Sequence, residues 1–157
     1  MSKSLRGKID FAEITDTGRV REHNEDAIGS NPDIGLMVLA DGMGGYNAGE
    51  VASGIAVQIV SELAAEGATR ENRDEVDPQS GLMRQSIVLR DAVYRANKII
   101  YQTAQSQTHC EGMGTTIVAA MFYDNKISIA HVGDSRAYRL RGGSFEQVTM
   151  DLSLIHI

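Results

Sequence analysis

Cysteine is nearly absent from the sequence, with Cys110 alone, so there is no intramolecular disulfide framework and no thiolate cluster for zinc. Any metal must be held by oxygen or imidazole. Tryptophan is missing, aromatics make up 5%, and there are two prolines among 157 residues. No apolar run approaches the roughly 20 residues that span a bilayer, and "MSKSLRGKIDF" lacks the apolar segment of a secretory signal. Cytoplasm is therefore the expected location, with no membrane partner. Basic residues are also in deficit. The net charge of −6 argues against a nucleic-acid-binding face and mildly favours cations. Repeats and low-complexity tracts are not found. A hydrophobic content of 42% is enough for one core, or for part of a larger one.

Along the chain, "KIDFAEIT" alternates loosely and reads as a strand, and the charged "DTGRVREHNED" after it reads as a loop. "IGLMVLA", Ile34 to Ala40, is a continuous apolar run of the kind buried on both faces of a sheet. From Gly49 to Glu66 the apolar positions Val51, Ile55, Ile59 and Leu63 mark a helix, with Asn47 and Glu50 spaced like a capping box. The polar "GATRENRDEVDPQSG" then reads as an exposed linker. A second helical pattern carries Leu82, Leu89, Val93, Ala96 and Ile100. Beyond Gly114, apolar runs cut by "DN" and "RGG" predict three or four antiparallel strands.

"VLADGMGGYNAGEVAS", Val38 to Ser53, ends an apolar run in Asp41 and crowds glycines before the helix. Two phosphate-binding loops fail here. A dinucleotide fingerprint needs a third glycine where Asn47 stands, and a P-loop needs Lys followed by Ser or Thr. An EF-hand fails too, because acids do not recur at alternate positions after Asp41. A carboxylate at a strand end, beside glycines that let backbone approach closely, suits a metal ion, with the Gly42 carbonyl as a further hard ligand. Taken alone, the stretch reads first as a tight turn with a surface aspartate. The "DTGRVREHNED" loop shifts the balance by adding Glu25, Asp26 and, four residues before Glu25, Arg21. Adjacent acids are ordinarily a solvated face, and an exposed ion pair is worth about 0–1 kcal/mol. Acids with arginine are also what phosphate hydrolysis on metal ions requires. Asp134, after the strand "ISIAHV" and next to glycine, is a third acidic point of the same style.

These stretches, together with "GMGTT" and "HVGDSRAY", resemble in order and wording the metal-dependent serine/threonine protein phosphatases of type 2C, from about Ile9 to Asp151. The resemblance implies an α+β fold of two packed antiparallel sheets flanked by helices, a four-layer α-β-β-α sandwich of which residues 1–151 are the N-terminal part. It implies that Arg21 binds substrate phosphate, Glu25 binds one metal, Asp26 orients water, and Asp41 bridges two ions. The Gly42 carbonyl would complete the Glu25 site, and Asp134 would hold a third, weaker ion. The ions would be Mn²⁺ or Mg²⁺, and the partners phosphorylated proteins made by a serine/threonine kinase. Rival readings are a non-catalytic regulatory or pseudophosphatase domain that binds a phosphoprotein, and a metal-dependent hydrolase of small phosphate esters.

Departures from the family pattern are Tyr46, where members commonly have His, and Met43, where animal members carry His as a candidate general acid. Met43 cannot donate a proton, so the resemblance to bacterial members leaves that task to metal-bound water. The family's two later metal-binding aspartates do not occur in this chain. "LSLIHI", Leu152 to Ile157, diverges abruptly and matches one reading frame of a common transposon-derived sequencing adapter, so a non-native tail is expected there. His131 reads as a packed strand residue and Cys110 as an unreactive free thiol, while His23 and His109 receive no role. Met43 and Met113 are read as gap fillers.

Overall fold

A computed structural model describes residues 5–45, 47–68 and 75–152. Tyr46, part of the expected linker and all but Leu152 of the expected tail lie outside the described residues. Strands β1 (Asp26–Asn31) and β2 (Leu36–Met43) come first, followed by helices α1 (Ala48–Ala68) and α2 (Arg84–Ser106). Strands β3 (Gly114–Thr115), β4 (Ile117–Tyr123), β5 (Lys126–Val132), β6 (Tyr138–Arg141) and β7 (Ser144–Gln147) complete the chain. The larger sheet runs β1-β2-β4-β5, with β3 also on β2, and every pairing in it is antiparallel. The smaller sheet is the hairpin β6-β7. Two antiparallel sheets with helices are what the resemblance implies.

Both helices cover one face of the larger sheet. Leu36, Val38 and Ala40 of β2 and Ile117, Ala119 and Met121 of β4 point into a core shared with Ala52, Ala56 and Val60 of α1 and Leu89, Ala92 and Ala96 of α2. Small residues at every fourth position of α1 let its backbone approach the sheet. The burial expected for β2 on both faces is corrected here: its residues alternate, and Leu39 on the far side is 42% exposed. One helix-covered face of an antiparallel sheet gives that alternation.

The strand expected at "KIDFAEIT" is also corrected. Arg6 and Ile9 share only an isolated bridge, and Asp10–Thr17 is irregular. Alternation alone does not make a strand when no neighbouring strand takes up its backbone groups. Asn47 departs from the expected capping box, because its φ of 66° is left-handed and not the extended backbone of an N-cap. The second helix begins at Arg84, leaving Leu82 outside it. Both turn signals are found. Asp124, in the β4-β5 turn, has φ 50°, and Gly142 and Gly143 join β6 to β7 with φ 56° and 81°, as a type I′ turn requires. Among the described residues no helix is long and apolar enough to cross a membrane.

Candidate metal and phosphate site

The candidate residues gather where β1 begins and β2 ends. Antiparallel pairing sets Asp26 directly opposite Asp41, on the same face of the sheet. The Asp41 carboxyl is held above its ordinary value of 3.8, first by partial burial, then by the charge of Asp26 and a hydrogen bond with it, then by the charge of Asp134. Arg21 opposes that shift. Asp26, Asp41, Asp134 and Arg21 thus share one electrostatic neighbourhood, although Asp134 lies 93 positions after Asp41 and on a different strand end.

Glu25 stands beside this group. Its carboxylate meets the Arg21 guanidinium at 3.7 Å, with the Arg21 side chain 76% exposed and that of Glu25 only 19%. The Glu25 backbone is fixed twice. Its carbonyl accepts from the Gly42 N–H at 3.0 Å and from the fully buried Ser53 hydroxyl of α1 at 2.6 Å. Gly42 is itself buried, and a Cβ there would overlap the Gly49 carbonyl and lie 2.7 Å from Glu25 O. The glycine therefore admits the first turn of α1 against the end of β2, a backbone contact that no other residue allows.

Asp41 is clamped from Thr115 at the end of β3 and from Thr116, between β3 and β4. Its N–H donates to Thr116 Oγ1 at 3.0 Å, and its carbonyl accepts from Thr116 N–H at 2.9 Å. Thr115 Oγ1 lies 3.0 Å from the same carbonyl. On the Asp134 side, Arg136 forks onto Asp151, with Nε 3.0 Å from both carboxylate oxygens and Nη2 2.6 Å from Oδ2. Leu152 N–H donates to Gly133 O at 2.9 Å, closing that loop.

An open cleft of about 550 Å³ lies on the Arg21 side, lined by Arg21, Glu22, His23, Glu25, Gly44 and Asn47. Sequence reasoning assigned nothing to His23, Ser53, Thr116 or the Arg136–Asp151 pair. Only the position of His23, two residues after Arg21 in a polar loop, was a usable signal. His131 is partly buried in β5 with Nε2 2.9 Å from Met150 O, and Cys110 is a buried free thiol.

All the donors here are hard carboxylate oxygens, which suits Mn²⁺ or Mg²⁺ in kind, and mutual repulsion around Asp41 is what a cation relieves. In number they come together less closely. Among the described residues no three Asp, Glu, His or Cys side chains form one group that could hold an ion.

Residues 17–153 match the family model for protein phosphatase 2C. The serine/threonine phosphatase stp of Listeria welshimeri is 39% identical over 145 residues, covering 90% of this chain and 54% of that protein. The serine/threonine protein phosphatase PstP of Mycobacterium tuberculosis is 37% identical over 141 residues, 90% of this chain and 24% of that one. Among solved structures, the PstP catalytic domain in complex with two manganese ions superposes with a TM-score of 0.72 at 34% identity, covering 88% of this chain and 54% of that one. Stp1 of Staphylococcus aureus gives 0.71 at 35% identity, covering 91% and 54%. The chain thus spans about half the length, or less, of the relatives it matches.

Proposed function

Because the chain belongs to the protein phosphatase 2C family, we propose that it supplies part of the active site of a metal-dependent hydrolase of phosphoserine and phosphothreonine in proteins. The observation that carries this reading is the pairing of Asp26 with Asp41, in electrostatic reach of Asp134 and Arg21. In this reading Asp41, Glu25, the Gly42 carbonyl and Asp134 would hold Mn²⁺ or Mg²⁺ ions, with Asp41 at the centre of the group. When bound, such ions would supply Lewis acidity at phosphorus and activate water as the attacking group, so that no phosphoenzyme is required.

The chain's own groups have separable tasks. Asp26, directly opposite Asp41 in the strand pairing, would orient the attacking water. Arg21, largely exposed and only loosely paired with Glu25, is free to turn its planar guanidinium onto two phosphate oxygens. Ser53 and the Gly42 N–H keep the Glu25 backbone in place while Arg21 moves. The substrates would be cytoplasmic proteins phosphorylated by a serine/threonine kinase. Residues 1–151 would form the N-terminal part of the phosphatase domain, with 152–157 as a non-native tail.

Phosphate release from a phosphothreonine peptide, measured with Mn²⁺ and with EDTA on the whole protein that carries this chain, tests the reading. Mn²⁺-dependent release that exceeds release from a nucleotide supports it. Peptide binding without release would establish the non-catalytic domain instead, and faster nucleotide turnover the small-ester hydrolase.

A further inference from the structure

We propose that Thr116 is a positioning residue that sets the spacing between Asp41 and Asp134. The inference rests on the reading that these two carboxylates hold metal. Thr116 grips the Asp41 peptide from both sides, accepting its N–H at 3.0 Å through Oγ1 and donating its own N–H to the Asp41 carbonyl at 2.9 Å. The same Oγ1 shares a hydrogen bond of 2.6 Å with the hydroxyl of Ser135, the residue next to Asp134. A threonine hydroxyl has one proton and two lone pairs, so it accepts from Asp41 and still exchanges a bond with Ser135 in either direction.

The methyl of Thr116 fixes the other side of the loop. A Cβ on Gly133 would lie 2.8 Å from Thr116 Cγ2, and Gly133 has φ 97°, a backbone that favours glycine. The Gly133–Ser135 turn therefore rests on Thr116 through a backbone contact and a hydrogen bond. One side chain touches both carboxylate-bearing segments and neither carboxylate. That is the geometry of a residue that orients ligands held by others, whose loss typically costs about 10–100-fold in metal affinity.

The experiment compares Thr116→Val, which keeps the shape and removes the hydroxyl, with Thr116→Ser, which keeps the hydroxyl. Each is made in the full 157-residue chain. Without metal, ¹⁵N-resolved amide spectra and hydrogen exchange are read at Asp41 and at Gly133–Ser135. Thr116→Val is expected to speed exchange at the Asp41 amide and to shift the Ser135 amide, while Thr116→Ser leaves those two near the wild-type positions and shifts Gly133, which loses its methyl neighbour. With Mn²⁺ titrated against its free-ion electron paramagnetic resonance signal, Thr116→Val is expected to bind about tenfold or more weakly. Thr116→Ser should stay within about twofold of wild type, well inside the penalty for losing an outer ligand partner. Unmoved Asp41 and Ser135 amides in Thr116→Val, or a Thr116→Ser chain that matches Thr116→Val at both, would overturn the proposal. A wild-type chain that binds no Mn²⁺ yet shows the amide pattern would uphold the coupling and overturn the metal reading on its own.

Discussion

Gly42 and Gly49 meet backbone to backbone: a Cβ on Gly42 would overlap the Gly49 carbonyl, and one on Gly49 would sit 2.6 Å from Glu25 Oε1. The contact seats the start of α1 against the end of β2 and leaves the Glu25 carboxylate packed over Gly49. Gly42→Ala is accordingly expected to cost at least about 1–3 kcal/mol, the range for overpacking a filled site, because the obstacle is backbone and cannot rotate away. Urea unfolding checks this. Gly54, with open space around its Cα, is the control, and Gly54→Ala should be neutral or stabilising in the middle of α1. A Gly42→Ala chain as stable as wild type would show that the helix seats differently.

A second expectation concerns Asp41 and pH. Its carboxyl is held above 3.8 in the fold, chiefly by burial and by Asp26. The folded state therefore binds that proton more tightly than the unfolded chain does. The group favours folding when protonated, and this contribution is lost as pH rises from 3.8 through the raised folded value. In EDTA at pH 7, Asp41→Asn should consequently melt at a higher temperature than wild type, and the gap should close on acidification toward 3.8. A gap of opposite sign at pH 7 would mean that Asp41 is not crowded by the other acids.

Asp151 runs the other way. Its carboxyl is held below 3.8, first by the Arg136 guanidinium. The stabilisation is present above the ordinary value of 3.8 and is lost as pH falls through the lower folded value. Asp151→Asn should lower the melting temperature at pH 7, with the difference shrinking only below about pH 3.8. Melting curves at pH 7 and pH 3 decide it.

Arg21 separates phosphate from metal. Arg21→Ala should raise KM for a phosphopeptide more than it changes the Mn²⁺ concentration for half-activity, because the Arg21 side chain is 76% exposed and its ion pair with Glu25 is long, at 3.7 Å. Steady-state kinetics on the whole protein measure both quantities. A shifted Mn²⁺ requirement with KM unchanged would contradict the role.

Much of this was legible in the chain because the signals are local. Asp41 at the end of an apolar run, the helical spacing of α1 and α2, and the "RGG" turn all depend on neighbours in sequence. The fully buried face of α1 is nevertheless Ala48, Ala52, Ala56, Val60 and Ala64, one position round from the stripe of Val51, Ile55, Ile59 and Leu63, because small residues let the helix sit close on the sheet. The misreadings come from distance. "KIDFAEIT" alternates but pairs with no strand among the described residues, while β1, built of Asp, Ala, Ile, Gly, Ser and Asn, shows little alternation and is a strand because β2 lies beside it. The close packing of Gly42 on the Gly49 carbonyl is likewise a contact between two elements that the run of glycines does not reveal. The clamp from Thr116 onto Asp41 spans 75 residues, a separation at which no periodicity operates.

The central claim is that Asp41, paired with Asp26 and in electrostatic reach of Asp134, is the carboxylate around which divalent metal binds. Titrating Mn²⁺ into the 157-residue chain and into its Asp41→Asn variant, with the free-ion resonance signal as readout, addresses it most directly. The account predicts saturable loss of free Mn²⁺ with the wild-type chain and none with Asp41→Asn under the same conditions. Equal Mn²⁺ uptake by the two chains would contradict it.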